Sequence, residues 1–260
     1  MPIKQLVTDH SVDLSTLTQR YDITEVSMPT EDMILRVSDG LVSLAFPTTK
    51  QGDVAVDFCS AASEYRRLHG GGYGQPIAKA LSLSPKFQPA ILDMTAGLGR
   101  DAFVMASLGA RVTLFERHPI VACLLENGLK RAQESNSPAA TVCQRMNLIL
   151  GDSAERLAGS DRFDMVYLDP MFPSRSKSAA VKKDMAAFHE LVGHDQDADK
   201  LLDIALDHAE YRVVVKRPKN APFLADKSPS VSHKGKAGRF DIYSKRAIKQ
   251  SEFISVVADE

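Results

Sequence analysis

Four acidic residues stand at or just past the ends of short apolar runs. Asp93 closes Ile91-Leu92, Glu116 closes Val112 to Phe115, Asp152 follows Leu148 to Gly151, and Asp169 closes Val166-Tyr167-Leu168. Asp169 leads into Pro170-Met171-Phe172-Pro173, and that order of residue types suits one chemistry. A carboxylate beside a carbonyl can accept the N–H groups of a base's exocyclic amine. Such bonds favour a tetrahedral nitrogen and stabilise the positive charge that grows on it during attack on a methyl group. Proline offers its carbonyl without a competing N–H, and Phe172 can stack on the base and hold it in line. Asp169, Pro170 and Phe172 are therefore the candidate catalytic residues. A base reaching them must leave its stack. The plain alternative is a strand-ending Asp-Pro turn with a core phenylalanine.

A second constellation suits an adenosine-containing cofactor. The segment Asp93-Met94-Thr95-Ala96-Gly97-Leu98-Gly99-Arg100-Asp101 reads as a strand end, a tight glycine turn and a helix start. Gly97 and Gly99 let the backbone approach a ligand closely, and the helix aims its free N–H groups at the same place. With Ala102 they also satisfy the dinucleotide fingerprint G-x-G-x-x-A, so the turn alone fits several α/β folds. Glu116 can accept from both ribose hydroxyls, and the pair Asp152-Ser153 can hold an adenine amino group.

These residues need a sheet that places strand ends side by side. From Ala90 onward, strands (Ile91 to Met94, Arg111 to Phe115, Leu148 to Leu150, Met165 to Leu168, Arg212 to Val215) alternate with helices (Asp101 to Leu108, Pro119 to Glu134, Lys183 to His208). Alternation of this kind implies an α/β fold with a mostly parallel sheet covered on both faces. Its ligands bind at the carboxyl ends of the strands. Phe240 to Tyr243 and Phe253 to Val257 are expected as an antiparallel finish. Residues 1–88 read as a small β-rich module, and residues 89–260 as the main domain. In the module, Met33 to Val37 and Leu41 to Phe46 flank the hairpin signal Asp39-Gly40. Asp53 to Phe58 is a third strand candidate, and helices are expected over Ala61 to His69 and Gln75 to Leu83. The glycine loop Gly70-Gly71-Gly72 between them either covers the cofactor, contacts RNA or simply links.

Composition bounds the rest. Of 260 residues, 44% are hydrophobic and 25% charged, the balance of a soluble globular protein. No apolar run reaches the roughly 18 residues of a membrane helix. The N-terminus lacks an apolar signal core, and Cys59, Cys123 and Cys143 show no metal-ligand spacing and read as buried or half-buried thiols. A cytoplasmic protein with no metal and no membrane partner is expected. The net charge is −1, but Tyr211 to Gln250 holds 11 Lys and Arg against 2 Asp, and Pro170 to Lys183 adds Arg175, Lys177, Lys182 and Lys183 with no acid. With Lys216, Arg217 and Lys219 these residues are the candidate RNA-backbone contacts. Solvated loop charge is the bland reading of the same residues.

The tetrapeptide Asp169-Pro170-Met171-Phe172 resembles the [D/N/S]-P-P-[Y/F] motif of methyltransferases that modify base amines. More widely, DMTAGLGRDAF, LFERHP, YLDPMFPSRSKSAAVKKDM, VVVKRP and RFDIY together resemble the ribosomal RNA small subunit methyltransferase J family, from about Val56 to Tyr243. The resemblance implies a class I, Rossmann-like methyltransferase fold using S-adenosylmethionine. It implies methylation of N2 of a guanosine in 16S ribosomal RNA, free or within the small ribosomal subunit. It also implies that Arg100, Asp101, Glu116, Arg117, Asp152, Ser153 and Asp169 contact the cofactor, alongside Asp93, Gly97 and Gly99 of the turn. Thr95 stands where many methyltransferases have a first glycine, and Met171 where the motif has a second proline. The competing readings are a methyltransferase acting on another nucleic-acid base amine, an NAD-dependent oxidoreductase and a non-catalytic RNA-binding module. The oxidoreductase does not account for the Asp-Pro-Met-Phe segment, and the binding module gives no reason for acids at strand ends.

Overall fold

The structure, a computed structural model, describes residues 3–11, 15, 19, 23–49, 51–157, 159, 161–171, 198–235 and 238–249. Near the N-terminus lie β1 (Gln5–Thr8), β2 (Thr24–Glu25), β3 (Ile34–Ser38), β4 (Leu41–Ala45) and β5 (Val54–Ala55), in the sheet order β2-β1-β3-β4-β5. β3 and β4 form the expected hairpin, turning at Asp39 (φ 51°) and Gly40 (φ 78°). The β1–β3 pairing is parallel and was not legible, because β1 and β2 are short and carry little apolar pattern. The expected strand over Asp53 to Phe58 shrinks to β5. Asp57 breaks it by accepting the Cys59 N–H (3.0 Å), and Ser60 then caps the next helix by accepting from Ser63 N–H.

That helix is α1 (Ala61–His69). It is followed by α2 (Pro76–Ala80), β6 (Ala90–Asp93), α3 (Arg100–Ser107), β7 (Arg111–Glu116), α4 (Pro119–Gln133), α5 (Pro138–Cys143), β8 (Met146–Leu150), α6 (Ser153–Arg156) and β9 (Phe163–Leu168). The described chain then continues through α7 (Ala198–His208), β10 (Ala209–Pro218), β11 (Val231–Lys234) and β12 (Gly238–Ser244). The second sheet has the order β11-β12-β10-β9-β6-β7-β8, parallel from β10 to β8 and antiparallel at β12 and β11.

Side-chain alternation builds two core layers on this sheet. Ile91, Leu114, Met165, Tyr167 and Val214 pack on the side of α3 and α4. Leu92, Phe115, Val166, Leu168, Val213 and Val215 pack on the side of α7, whose Leu201, Leu202 and Ala205 cover them. Each strand thus sends alternate residues to opposite faces. Among the described residues the antiparallel finish is β12, which contains the expected Phe240 to Tyr243 strand, with β11. Val231-Ser232-His233-Lys234 is a mostly exposed, polar edge strand, invisible to an apolar pattern. Phe253 to Val257 lies outside the described residues, as does the expected helix before Ala198.

The N-terminal sheet shares its core with the second. Leu35, Val37, Leu44 and Val56 belong to the same buried cluster as Leu124, Leu125 and Leu129 of α4. Asn127 of α4 stitches the hairpin down, accepting from Val42 N–H (3.1 Å) and donating to the Gly40 carbonyl (3.0 Å). A Cβ on Gly128 would stand 2.4 Å from Val56 Cγ1, so only glycine permits this approach. Cys123 and Cys143 are buried, and burial pushes both thiols up to about 12. Cys59, expected at least half-buried, is exposed. Among the described residues no helix is long and apolar enough to cross a membrane, and no three His, Cys, Asp or Glu cluster to hold a metal ion.

Candidate active site

The chain runs from β6 outward to β7 and β8 and then returns to β9 on the far side of β6, so the strand order reverses between β6 and β9. Open α/β sheets bind ligands at such a point. A cavity of about 500 Å³ opens there, within the roughly 300–1,000 Å³ of small-molecule sites. Residues following β6, β7, β8 and β9 line it, together with Lys216 of β10 and Arg66 of α1.

The turn after β6 is built around backbone that other residues adopt only with strain. Gly97 and Gly99 have φ of 54° and 70°, and a Cβ on Gly99 would lie 2.6 Å from Leu125 Cδ1. Gly97 donates its N–H to Glu116 Oε2 (2.8 Å), and Glu116 Oε1 accepts from His118 N–H (2.7 Å). Glu116 therefore ties the β6 turn to the end of β7. A carboxylate has acceptor capacity for about four donors, which suits a group that orders two loops and takes a diol. Asp152 caps α6 by accepting from Ala154 N–H (2.8 Å), and its other oxygen stands 3.7 Å from the Arg117 guanidinium. Ser153 is buried, and its hydroxyl donates to the Met94 carbonyl (3.5 Å).

The acceptor side is a charge network. Lys216 Nζ donates to Asp101 Oδ2 and Asp169 Oδ2, both at 2.8 Å, and Tyr167 donates its hydroxyl to Asp101 Oδ2 at 2.6 Å. Thr95 Oγ1 accepts the Asp169 N–H at 2.7 Å. A glycine at 95 would lack this bond, which joins the turn after β6 directly to the end of β9. Burial opposes the Lys216 charge, but Asp169 and Asp101 outweigh burial and hold its pKa above the ordinary lysine value. Burial, then the nearby Asp101 and Asp169 charges, raise Tyr167 well above the usual phenol, so it stays a donor. Asp93 is pushed up to about 8, first by burial; its bond from Thr95 N–H opposes the rise, and the Asp101, Asp169 and Glu116 charges reinforce it.

Acids at four strand ends surround one cavity, with a helix N-terminus at the turn. The chain matches the model of a SAM-dependent methyltransferase family over residues 16–245. It is 55% identical over 199 residues to ribosomal RNA small subunit methyltransferase J of Colwellia psychrerythraea, covering 76% of this chain and 73% of that protein. It is 48% identical over 239 residues to the protein of the same name from Pseudoalteromonas translucida, covering 91% and 95%. The crystal structure of a SAM-dependent methyltransferase from Neisseria gonorrhoeae superposes with a TM-score of 0.73 at 39% identity, covering 95% of this chain and 98% of that one. The chain belongs to the ribosomal RNA small subunit methyltransferase J family.

As a methyltransferase J family member it has the class I methyltransferase fold and takes S-adenosylmethionine as cofactor. The structure brings Asp93, Gly97, Arg100, Asp101, Glu116, Arg117, Asp152, Ser153 and Asp169 to one cavity. Gly99 stands behind the turn as the residue before α3, and Pro170 is buried beside Asp169. Phe172, Arg175, Lys177, Lys182 and Lys183 lie outside the described residues.

Two expected RNA contacts are corrected. Arg217 is only 2% exposed, and its guanidinium donates to the Pro222 carbonyl (3.2 and 2.8 Å). Alternation along β10 turns it to the opposite face from Lys216. Lys216 itself points into the cavity, onto Asp101 and Asp169, rather than outward to a rim. Lys219 is exposed at the strand end. Sequence reading missed the Tyr167–Asp101 bond, the Thr95 bond and the presence of Arg66, Gln75 and Ile77 in the lining. The β9–β10 register carried the signal for Lys216. Val214 pairs with Tyr167 and Val215 with Leu168, so the next residue stands beside Asp169.

Proposed function

We propose that this methyltransferase modifies the exocyclic N2 amine of a guanosine in 16S ribosomal RNA. The relatives' printed names support the RNA. The observation that supports the reading is that Asp169 and Met171 line the same cavity as Gly97 and Glu116, with Pro170 buried between the first two. Asp93, Gly97, Arg100, Asp101, Glu116, Arg117, Asp152 and Ser153 hold the cofactor. Glu116 would take the ribose hydroxyls, and Asp152 with Ser153 would hold the adenine amino group. When bound, S-adenosylmethionine supplies a methyl group made electrophilic by a sulfonium.

The chain's own groups prepare the amine. A guanine amine shares its lone pair with the ring and is a poor nucleophile. Asp169 accepts one N–H and the Pro170 carbonyl another, which favours a tetrahedral nitrogen and stabilises the charge that develops on it. Lys216 fixes the Asp169 carboxylate in place. Phe172, the next residue but one after Pro170, stacks on the extruded base. Lys219 and the basic residues Arg175, Lys177, Lys182 and Lys183 meet the RNA backbone. The test is mass spectrometry of 16S ribosomal RNA from cells with and without the gene. The proposal expects one N2-methylguanosine to vanish in the mutant and return on complementation; an unchanged guanosine profile overturns it.

A further inference from the structure

Helix α1 is inside out. Three of its apolar residues, Ala61, Tyr65 and Leu68, recur at i, i+4 and i+7, the spacing that ordinarily faces a core. None of its nine residues is buried. Tyr65 is 66% and Leu68 60% exposed. The polar face turns inward instead: Ser60 and Ser63 donate to the Asp57 carbonyl, both at 2.9 Å, and Glu64 and Arg67 are half-buried and bonded to each other. Tyr65 and His69 are already stacked, with ring centroids 4.4 Å apart and planes 20° from parallel. Arg66, one residue along, lines the cavity that holds Asp93 and Asp169.

We propose that the exposed stripe of α1 is a stacking platform for the single-stranded nucleotides that flank the target base. This rests on the RNA substrate proposed above. A flat aromatic pair accepts any base face, and extrusion of one base leaves its neighbours unstacked and in need of a surface. Charge favours RNA over a second copy of this chain. Glu64 is neutralised by Arg67, so Arg66 leaves the helix positive, and among the described residues it pairs with no carboxylate. A two-fold contact between copies would set like charge against like charge along the stripe, whereas phosphate complements it. The position at the cavity mouth fixes the register, because Arg66 touches the cleft while Tyr65 and Leu68 face outward from it.

The test compares Tyr65→Ala and Leu68→Ser with the wild type. Steady-state methylation of 16S ribosomal RNA should show KM for RNA raised about tenfold or more, with kcat at saturating RNA and affinity for S-adenosylhomocysteine unchanged. Unchanged KM in variants of a wild type that does methylate this RNA overturns the platform alone. A wild type that does not methylate it overturns the substrate reading and the platform together. Hydroxyl-radical footprinting of the wild type identifies the occupant. The platform requires Tyr65 and Leu68 to be reactive in the free protein and protected once RNA is added. Protection in the free protein at low concentration means that the chain covers the stripe itself, and protection only at high concentration means that a second copy does. Either result overturns the proposal.

Discussion

Lys216 Nζ lies 2.8 Å from Asp169 Oδ2 and, from the same atom, 2.8 Å from Asp101 Oδ2. One ammonium thus holds the acid proposed to bind the amine and the acid at the start of the cofactor helix. Lys216→Met should leave two like charges facing each other and lower single-turnover methyl transfer by roughly 10- to 100-fold. Because Lys216 is held above its ordinary value, raising the pH to about 9 should not reproduce this loss in the wild type, since lysine titrates only near pH 10 even unperturbed. A rate within twofold of wild type for Lys216→Met would show that the contact plays no part in turnover.

Asp169→Asn keeps the shape of the acceptor but removes its charge. Turnover should fall by roughly 10²–10³, the scale of one preorganised transition-state contact. Cofactor affinity should fall less, because Glu116 and the Gly97 turn remain. Single-turnover transfer measured beside a direct titration with S-adenosylhomocysteine separates the two effects. Methylation at the wild-type rate would reduce Asp169 to a structural strand end.

Glu116→Ala should act on the cofactor first. It removes a charged acceptor worth about 1–3 kcal/mol per hydrogen bond made, so affinity for S-adenosylhomocysteine should weaken about 10- to 100-fold by calorimetry. It should also lower the melting temperature, because the Gly97 and His118 N–H groups lose their partner. Unchanged affinity in a folded variant would refute the ribose assignment.

Asp93 couples binding to pH. Burial pushes the Asp93 carboxyl up to about 8, which favours the protonated form in the free protein at neutral pH. A cofactor ammonium bound beside Asp93 would favour the charged form. Binding of S-adenosylhomocysteine should then release a proton, and affinity should rise as pH climbs from 6 to about 8 and level off above it. Calorimetry in buffers of different ionisation enthalpy reads the proton directly. Asp93→Asn should abolish the release; persistence of the full release in that variant would place the proton elsewhere.

The parts legible in the sequence are those dictated by local pattern. Asp39-Gly40 named its hairpin, α1 runs over Ala61–His69 and stops at Gly70 as expected, and acids after apolar runs marked the strand ends that meet at the cavity. Global placement was not legible. Lys216 and Arg217 are adjacent cations in one strand, and composition treats them alike. Only the pleat and the β9–β10 register send one to the acids and bury the other against Pro222. β11 escaped notice because an edge strand needs no apolar face. Thr95 looked like a departure from a glycine pattern until its hydroxyl was seen to hold the Asp169 amide.

The reversal of strand order between β6 and β9 also sets a timetable. Thr95 and Asp169 are 74 residues apart in the chain, and Asp101 and Lys216 are 115 apart. The ribosome releases the chain N-terminus first, at roughly 5–20 residues per second. The half of the cleft proposed to take adenosine, complete at Ser153, therefore emerges before the acid proposed to receive the amine, and Asp169 emerges several seconds before Lys216. For that interval Asp101 and Asp169 lack the Lys216 ammonium between them, and β9 lacks its neighbour β10.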